Sequence, residues 1–202
     1  MTLRLHSAPA SPFARKCRVC LLETGQEAEF ALRGGHPLAP DNMPTAQNPL
    51  GKIPTLERDD GPALYDSRVI TRYLNTRAGG ALYPEARLWE TLTLEATADG
   101  MMEAAVLMVY EARTRPEDIR YPAWVDAQWA KVTRCLAAIE RQWMSHLNGP
   151  LDMAQIAVGC ALAYLDFRHG DRNWRADYPT LATWETAFAL RPAMQATLPY
   201  DA

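Results

Sequence analysis

The chain changes character near residue 80, and this change limits the folds that it can adopt. In residues 1–78, short strand patterns alternate with helical patterns, whereas no convincing strand pattern appears beyond them. Residues 78–84 between the two halves contain two glycines and a proline, as linkers commonly do. The sequence therefore predicts an α/β domain over residues 1–80, followed by an all-helical domain over residues 86–202.

The first helix is predicted to begin just after a short strand. Residues 2–6 alternate as a strand does, and residues 7–10 interrupt that pattern. Apolar positions then recur at helical spacing: Phe13, Cys17, Cys20 and Leu21. Pro12 suits the first helical position, and Ser11 is a natural N-cap. A hydroxyl beside the free N–H groups of a helix N-terminus can hold an anion or a thiolate, although a plain capping role is the alternative.

A second motif in the first half predicts a loop that enters a strand: Asn48-Pro49-Leu50-Gly51-Lys52-Ile53-Pro54-Thr55-Leu56. A turn at residues 59–61, a further short strand at 62–65 and a helix that opens at Asp66-Ser67 follow it. Together with the strand–helix–strand start, this predicts the order β-α-β-α-β-β-α. That order is the thioredoxin-like arrangement, here with an Ile-Pro bond at the entrance of a strand.

At these residues the chain resembles the glutathione S-transferase family, in particular bacterial members with a serine at the thiol site. The matching motifs are Ser11-Pro12-Phe13-Ala14-Arg15-Lys16, Asn48-Pro49-Leu50-Gly51-Lys52-Ile53-Pro54, Asp66-Ser67 and Ile70-x-x-Tyr73-Leu74. They stand in the family's order and spacing, and the resemblance runs along the full length of the chain. It implies a thioredoxin-like domain that binds glutathione and a helical domain that lines the site of a second substrate.

The resemblance also implies roles for individual residues. Ser11 would donate its hydroxyl to the sulfur of glutathione and would be the catalytic residue. Ile53, ahead of a predicted cis-Pro54, would pair its backbone with the cysteinyl part of glutathione, as an added strand does. The further residues implied to bind glutathione are Phe13, His36, Lys52, Asp66, Ser67 and, from a partner subunit, Asp99. The family more often carries glutamate where Asp66 stands.

The second half predicts long helices over residues 88–111, 122–147 and 152–167, and a shorter one over 179–190. The helix over 152–167 is nearly apolar throughout and is predicted to be the central, buried one. At its start, Asp152 and Gln155 match a capping box. Three methionines on the helix over 88–111 fit either a core or an adaptable electrophile pocket: Met101, Met102 and Met108.

Composition and charge exclude several other classes of function. The net charge of −3, with scattered basic residues, gives no footprint for nucleic acid. No export signal is apparent, and the longest apolar stretch, residues 156–165, is too short to span a bilayer. The four cysteines are therefore expected to be reduced and the location cytoplasmic. Cys17 and Cys20 lie inside the predicted helix, which favours buried packing over a redox pair.

Two classes of function remain open. The first is an enzyme that uses glutathione as a co-substrate, with no permanently bound cofactor and no metal, to attack a small hydrophobic electrophile or to reduce a peroxide or a mixed disulfide. The second is a non-catalytic member of the same fold that binds glutathione or a protein. The presence of Ser11, Ile53-Pro54, Asp66 and Ser67 favours the enzyme. A homodimer without nucleic-acid or membrane partners is also expected.

Overall fold

Four short strands form one mixed sheet within the part of the chain that the structure, a computed structural model, describes: residues 2–33 and 42–201. The strands are β1 (Arg4–Ser7), β2 (Glu29–Leu32), β3 (Thr55–Arg58) and β4 (Gly61–Leu64), in the spatial order β2-β1-β3-β4. β1 is parallel to β2 and antiparallel to β3, which is antiparallel to β4. With the helices described next, this sheet confirms the predicted thioredoxin-like fold, although the described residues between β2 and β3 (33 and 42–54) form no α-helix.

Two helices of this part pack against each other: α1 (Pro12–Glu23) and α2 (Ser67–Arg77). The thiols of Cys17 and Cys20 on α1 are fully buried and lie 3.9 Å from the carbonyl oxygens of Ser67 and Thr71 on α2. The predicted packing role of the two cysteines is thereby confirmed. The Cys17 contact also ties α1 to the first residue of α2.

The chain divides into two compact units, Met1–Leu88 together with Pro192–Ala202, and Trp89–Arg191. The C-terminal segment thus groups with the sheet, although the sequence placed it with the helical domain. A short helix, α9 (Pro192–Gln195), carries this contact. Arg15 on α1 donates to the hydroxyl of Thr197 (3.3 Å) and to the carbonyl of Met194 (3.2 Å).

The second unit is helical wherever the structure describes it as regular. Its helices are α3 (Leu88–Thr114, which begins at the unit boundary), α4 (Pro122–Gln142), α5 (Met144–Leu147), α6 (Met153–His169), α7 (Trp174–Asp177) and α8 (Pro179–Phe188). The single helix predicted over 122–147 is interrupted at Trp143, where the backbone angles (φ −115°, ψ 0°) depart from the regular α-helical values. No helix among the described residues combines the length and apolar character needed to cross a bilayer.

The start of α6 confirms the predicted capping box. Asp152, which is completely buried, accepts from the backbone N–H groups of Ala154 and Gln155, and the side chain of Gln155 accepts from the N–H of Asp152. The other oxygen of Asp152 accepts from the Thr91 hydroxyl (3.0 Å) and lies 2.7 Å from Nε2 of His146. One carboxylate therefore joins the starts of α3 and α6 to α5.

His169, at the end of α6, is predicted to make the stability of the protein depend on pH. It is 7% exposed, and its Nε2–H donates to the carbonyl of Ala105 (3.0 Å). Burial lowers the pKa of His169 from its ordinary value of 6.5. The unfolded chain therefore binds a proton at His169 more readily than the folded chain does. The stabilisation that comes from burying neutral His169 is complete above about pH 6.5 and is lost as the pH falls below that value.

Urea unfolding about one unit above and one unit below that pH measures the effect. His169→Gln keeps a donor for Ala105 but does not titrate, so its free energy of unfolding should change less between the two conditions. An equal change in both proteins would rule out His169 as the source.

Candidate active site

The sheet register places three chain segments at one edge of the sheet. In the antiparallel pair β1–β3, His6 faces Thr55, so the end of β1 lies beside the start of β3. Leu56 of β3 faces Leu64 of β4, so β4 ends at this same edge. α1 follows β1 and α2 follows β4. The starts of both helices and the loop that enters β3 therefore belong to one edge of the first unit.

Ser11 begins α1 as the sequence predicts. It is half-buried, has extended backbone angles (φ −82°, ψ 118°), and its Oγ accepts the N–H of Ala14 at 3.3 Å. Pro12 occupies the first turn, where its missing N–H costs nothing. The neighbouring N–H of Phe13 has no hydrogen-bond partner within residues 2–33 and 42–201. A serine hydroxyl has one proton and two lone pairs, so Ser11 can accept from Ala14 and still donate outward.

The loop before β3 holds the predicted backbone site. The Ile53–Pro54 bond is cis, which confirms that prediction; Pro54 is buried, Ile53 is half-buried and Lys52 is exposed. β3 begins only at Thr55, and neither the N–H nor the C=O of Ile53 has a partner in the described residues. An unpaired backbone next to a strand is the arrangement that an added strand requires.

Asn48 fixes the shape of this loop, and sequence reasoning assigned it no separate role. Its side chain is 1% exposed; the amide donates to the carbonyl of Lys52 (3.1 Å) and to the Thr55 hydroxyl (3.2 Å), and its oxygen accepts the N–H of Leu50 (3.0 Å). The Thr55 hydroxyl donates to the same Lys52 carbonyl at 2.8 Å. A buried amide that satisfies three backbone or hydroxyl groups is a positioning residue for Ile53.

The start of α2 supplies a second helix N-terminus. Asp66 caps it by accepting the N–H of Arg68 at 3.0 Å, and its exposed carboxylate lies 3.5 Å from the Arg68 guanidinium. The Tyr65–Asp66 bond is also cis, which the sequence did not predict. Ser67 is 2% exposed, and the N–H groups of Ser67 and Val69 have no partner in the described part of the chain. These groups and the helix dipole suit an anion.

A series of hydrogen-bonded side chains from β1, β3 and the residue after β2 lies close to this edge and was not expected. Nε–H of Arg33 donates to Nδ1 of His6 (3.0 Å), so the His6 proton sits on Nε2 and is donated to a Glu57 oxygen at 2.5 Å. His6 is 1% exposed. The alternation of β1 offered a hint, since a histidine stands there among buried positions, but its partners are distant in sequence.

The remaining predicted site residues are placed as follows. His36 lies outside the described residues. Asp99 is 5% exposed on α3, in the second unit. The three methionines of the predicted electrophile pocket are also on α3, with exposures of 0%, 1% and 5%: Met101, Met102 and Met108. Their burial fits the core packing that was the alternative for them.

Comparisons with known proteins agree with this geometry. Residues 5–82 match the family model of the glutathione S-transferase N-terminal domain, and residues 122–187 match that of the C-terminal domain. The uncharacterised GST-like protein YibF of Escherichia coli K12 is 33% identical over 185 residues, which are 89% of this chain and 90% of YibF.

Two solved structures of a glutathione transferase family member from Pseudomonas fluorescens Pf-5 are also similar. The first has bound glutathione, a TM-score of 0.95 and 45% identity; the second has bound S-(propanoic acid)-glutathione, a TM-score of 0.91 and 44% identity. Each alignment covers 98% of this chain and 100% of the other. The fold, the two helix N-termini at one sheet edge and these similarities lead to one conclusion: the chain belongs to the glutathione S-transferase family.

Proposed function

We propose that the protein is a glutathione transferase in which Ser11 stabilises the glutathione thiolate for attack on an electrophile. One observation carries the proposal: the Ser11 oxygen accepts the N–H of Ala14, which leaves the hydroxyl proton available to donate to another acceptor. A thiolate there would also gain from the positive end of the α1 dipole and the unpaired N–H of Phe13. Because the thiolate is the nucleophile, lowering the thiol pKa increases the reactive fraction near neutral pH.

The rest of the tripeptide would be held at the same sheet edge. The unpaired backbone of Ile53 would bind the cysteinyl group as a short antiparallel strand. Ser67 and the N–H groups at the start of α2 would bind the γ-glutamyl carboxylate, with Asp66 as the cap that shapes this helix start. The exposed Lys52 suits the glycyl carboxylate. For Phe13, His36 and the partner subunit's Asp99, contact with glutathione stays a prediction.

Conjugation is favoured over disulfide exchange on two grounds. Cys17 and Cys20 are buried against α2, and a serine stands where a thiol-based redox site would need its first cysteine. In addition, the Pseudomonas fluorescens relative binds a glutathione whose sulfur carries a propanoic acid group. A site of this kind has room for a substituent on the sulfur. Peroxide reduction stays open, since it uses the same thiolate.

The second candidate is a non-catalytic glutathione-binding protein, and the unassigned role of the similar YibF keeps it open. Four further features also stay predictions. They are the division into a glutathione-binding domain at 1–80 and a substrate domain at 86–202, the homodimer, the cytoplasmic location and the pocket role of the three methionines.

The test uses binding and turnover separately. Binding of glutathione is measured by calorimetry, and the thiolate of the bound peptide by its ultraviolet absorbance as the pH is varied. Turnover is then measured with a panel of electrophiles, peroxides and mixed disulfides. Binding with a lowered thiol pKa and conjugation supports the proposal. Binding without turnover on any substrate favours the non-catalytic candidate, and no binding of glutathione contradicts both.

Asn48→Ala is expected to weaken glutathione binding by about tenfold, because it removes the bonds that hold Lys52 and Thr55 in place on either side of Ile53. Calorimetry measures the loss. The control is Asn48→Asp, which keeps the acceptor for Leu50 but cannot donate to the other two groups. It should lose affinity to a similar degree, whereas full affinity in both variants would exclude a positioning role for Asn48.

A further inference from the structure

We infer that a buried pair, His6 and Glu57, holds the guanidinium of Arg33 in place, and that Arg33 thereby selects thiol peptides that end in a free carboxylate. This inference rests on the proposed function, because it concerns the same bound peptide. It gives roles to three residues outside the motifs of the thiol site. Arg33 would touch the ligand, whereas His6 and Glu57 would act through Arg33 as positioning residues.

The three side chains form a series of hydrogen bonds with His6 in the middle. Nε–H of Arg33 donates to Nδ1 of His6 (3.0 Å), and Nε2–H of His6 donates to Glu57 (2.5 Å). The imidazole, with its proton on Nε2, thus lies between a cation and an anion. Because His6 is 1% exposed, its ring has little freedom to turn. The imidazole therefore fixes the direction of the Nε–H bond of Arg33.

The other donors of Arg33 are available for a ligand. Arg33 is half-buried, and neither of its Nη groups has a hydrogen-bond or ion-pair partner within residues 2–33 and 42–201. Glu57 offsets the charge of Arg33 only across the imidazole, since its ion pair is with His6. Two Nη groups in one plane match the two oxygens of a carboxylate. A carboxylate is therefore the ligand group that this end of Arg33 suits best.

Contacts place this series beside the loop that enters β3. His6 of β1 lies directly opposite Thr55 of β3, and directly opposed side chains share one face of a sheet. The Thr55 hydroxyl donates to the carbonyl of Lys52 at 2.8 Å. The second oxygen of Glu57 accepts from the side chain of Gln47 (3.5 Å), which belongs to the same loop. His6 and the guanidinium bound to it therefore lie on the face of the sheet that this loop contacts.

The strand order places Arg33 where the glycyl end of the peptide would lie. β2 is parallel to β1, so both end at the edge that carries the starts of α1 and α2, and Arg33 directly follows β2. In the order β2-β1-β3-β4, Arg33 and the start of α2 stand at opposite ends of that edge, three strand spacings or about 14 Å apart. An extended tripeptide spans about 10 Å, and the γ-linkage adds to it. A peptide whose γ-glutamyl group binds at α2 can therefore present its other carboxylate to the long side chain of Arg33.

Lys52 is a second cation for this carboxylate, and the two residues differ in preorganisation. Lys52 is exposed, and its ammonium has no partner in the described part of the chain. It must therefore lose rotamer freedom when it binds. Arg33 has already lost much of that freedom through its bond to His6. We expect Arg33 to contribute the larger share of the affinity for this carboxylate.

Calorimetry with two ligands tests the selection: glutathione, and glutathione whose glycyl carboxylate is an ethyl ester. The natural protein should bind the ester about tenfold more weakly, because the ester offers no charge to Arg33. Arg33→Gln should bind glutathione about tenfold more weakly than the natural protein does, and should bind the two ligands about equally. Lys52→Gln is the matched control and should keep most of the difference. In turnover, Arg33→Gln should raise KM for glutathione with little change in kcat.

Two substitutions of His6 test its positioning role. His6→Gln keeps an acceptor for Arg33 and a donor for Glu57, so it should keep the preference for glutathione over the ester. His6→Phe removes both bonds, so the preference should fall by about threefold although Arg33 is present. Circular dichroism checks that each variant is folded. If His6→Phe is not, Glu57→Leu removes the acceptor of His6 at a half-buried position and should show the same fall.

A preference for glutathione over the ester that persists in Arg33→Gln would overturn the inference, and loss of the preference in Lys52→Gln would give the role to Lys52. Equal affinity of the natural protein for both ligands would show that no cation holds the glycyl carboxylate. An unchanged preference in His6→Phe would refute the positioning role. Failure of the proposed function is distinct, because the natural protein would then bind neither ligand, or would bind both without turnover.

Discussion

Ser11→Ala is expected to lower turnover by roughly ten- to hundred-fold while leaving glutathione binding largely intact. The variant loses one hydrogen bond to a charged sulfur, worth about 1.5–3 kcal/mol, and the pKa of the bound thiol rises accordingly. Most proposed ligand contacts lie elsewhere, at Lys52, Ile53 and Ser67, so affinity should change little. Steady-state kinetics and thiolate absorbance against pH measure the two effects.

Two matched variants separate the hydroxyl from the helix cap. Ser11→Thr keeps both and should retain most of the activity. Ser11→Gly loses the hydroxyl but costs the cap only a few tenths of a kcal/mol, so it should resemble Ser11→Ala in turnover and exceed it in stability. Full activity and an unchanged thiol titration in Ser11→Ala would indicate that the N–H of Phe13 holds the thiolate instead of Ser11. The other candidate donor, the Ser7 hydroxyl, is buried.

Asp152→Ala is expected to lower the free energy of unfolding by about 3–5 kcal/mol, the largest stability effect predicted for this chain. It removes a fully buried carboxylate that accepts from two backbone N–H groups, Thr91 and His146. Each of these donors is then left buried without its acceptor. Urea unfolding followed by circular dichroism measures the loss.

Asp152→Asn is the control, because an amide keeps the oxygen that caps α6 and loses the charged acceptor. Its loss should be about half as large. At a temperature where both variants remain folded, glutathione affinity should be unchanged, since Asp152 lies in the second unit. A loss below about 1 kcal/mol in Asp152→Ala would show that the carboxylate is not the main support of this junction.

Local features of this chain were predictable because their causes lie within a few residues. The start of α1 follows from Ser11-Pro12, the capping box of α6 from the spacing of Asp152 and Gln155, and the burial of Cys17 from its place inside a helical pattern. The cis-Pro54 bond was predicted from the family resemblance, against the general preference for trans.

Features with distant causes were not predictable. Arg15 and Thr197 are 182 residues apart, and nothing in the periodicity of either segment reports their contact. His6 likewise meets Arg33 and Glu57 only after three strands have paired. The interruption at Trp143 escaped detection because the apolar spacing continues through it without a proline or glycine.

Glutathione is expected to bind along the edge formed by the starts of α1, β3 and α2, with its sulfur at Ser11. A crystal structure of the protein soaked with glutathione tests it most directly. We expect the sulfur within hydrogen-bonding distance of the Ser11 Oγ, and the cysteinyl backbone paired with the N–H and C=O of Ile53. Glutathione bound elsewhere, or bound here with its sulfur directed away from Ser11, would contradict it.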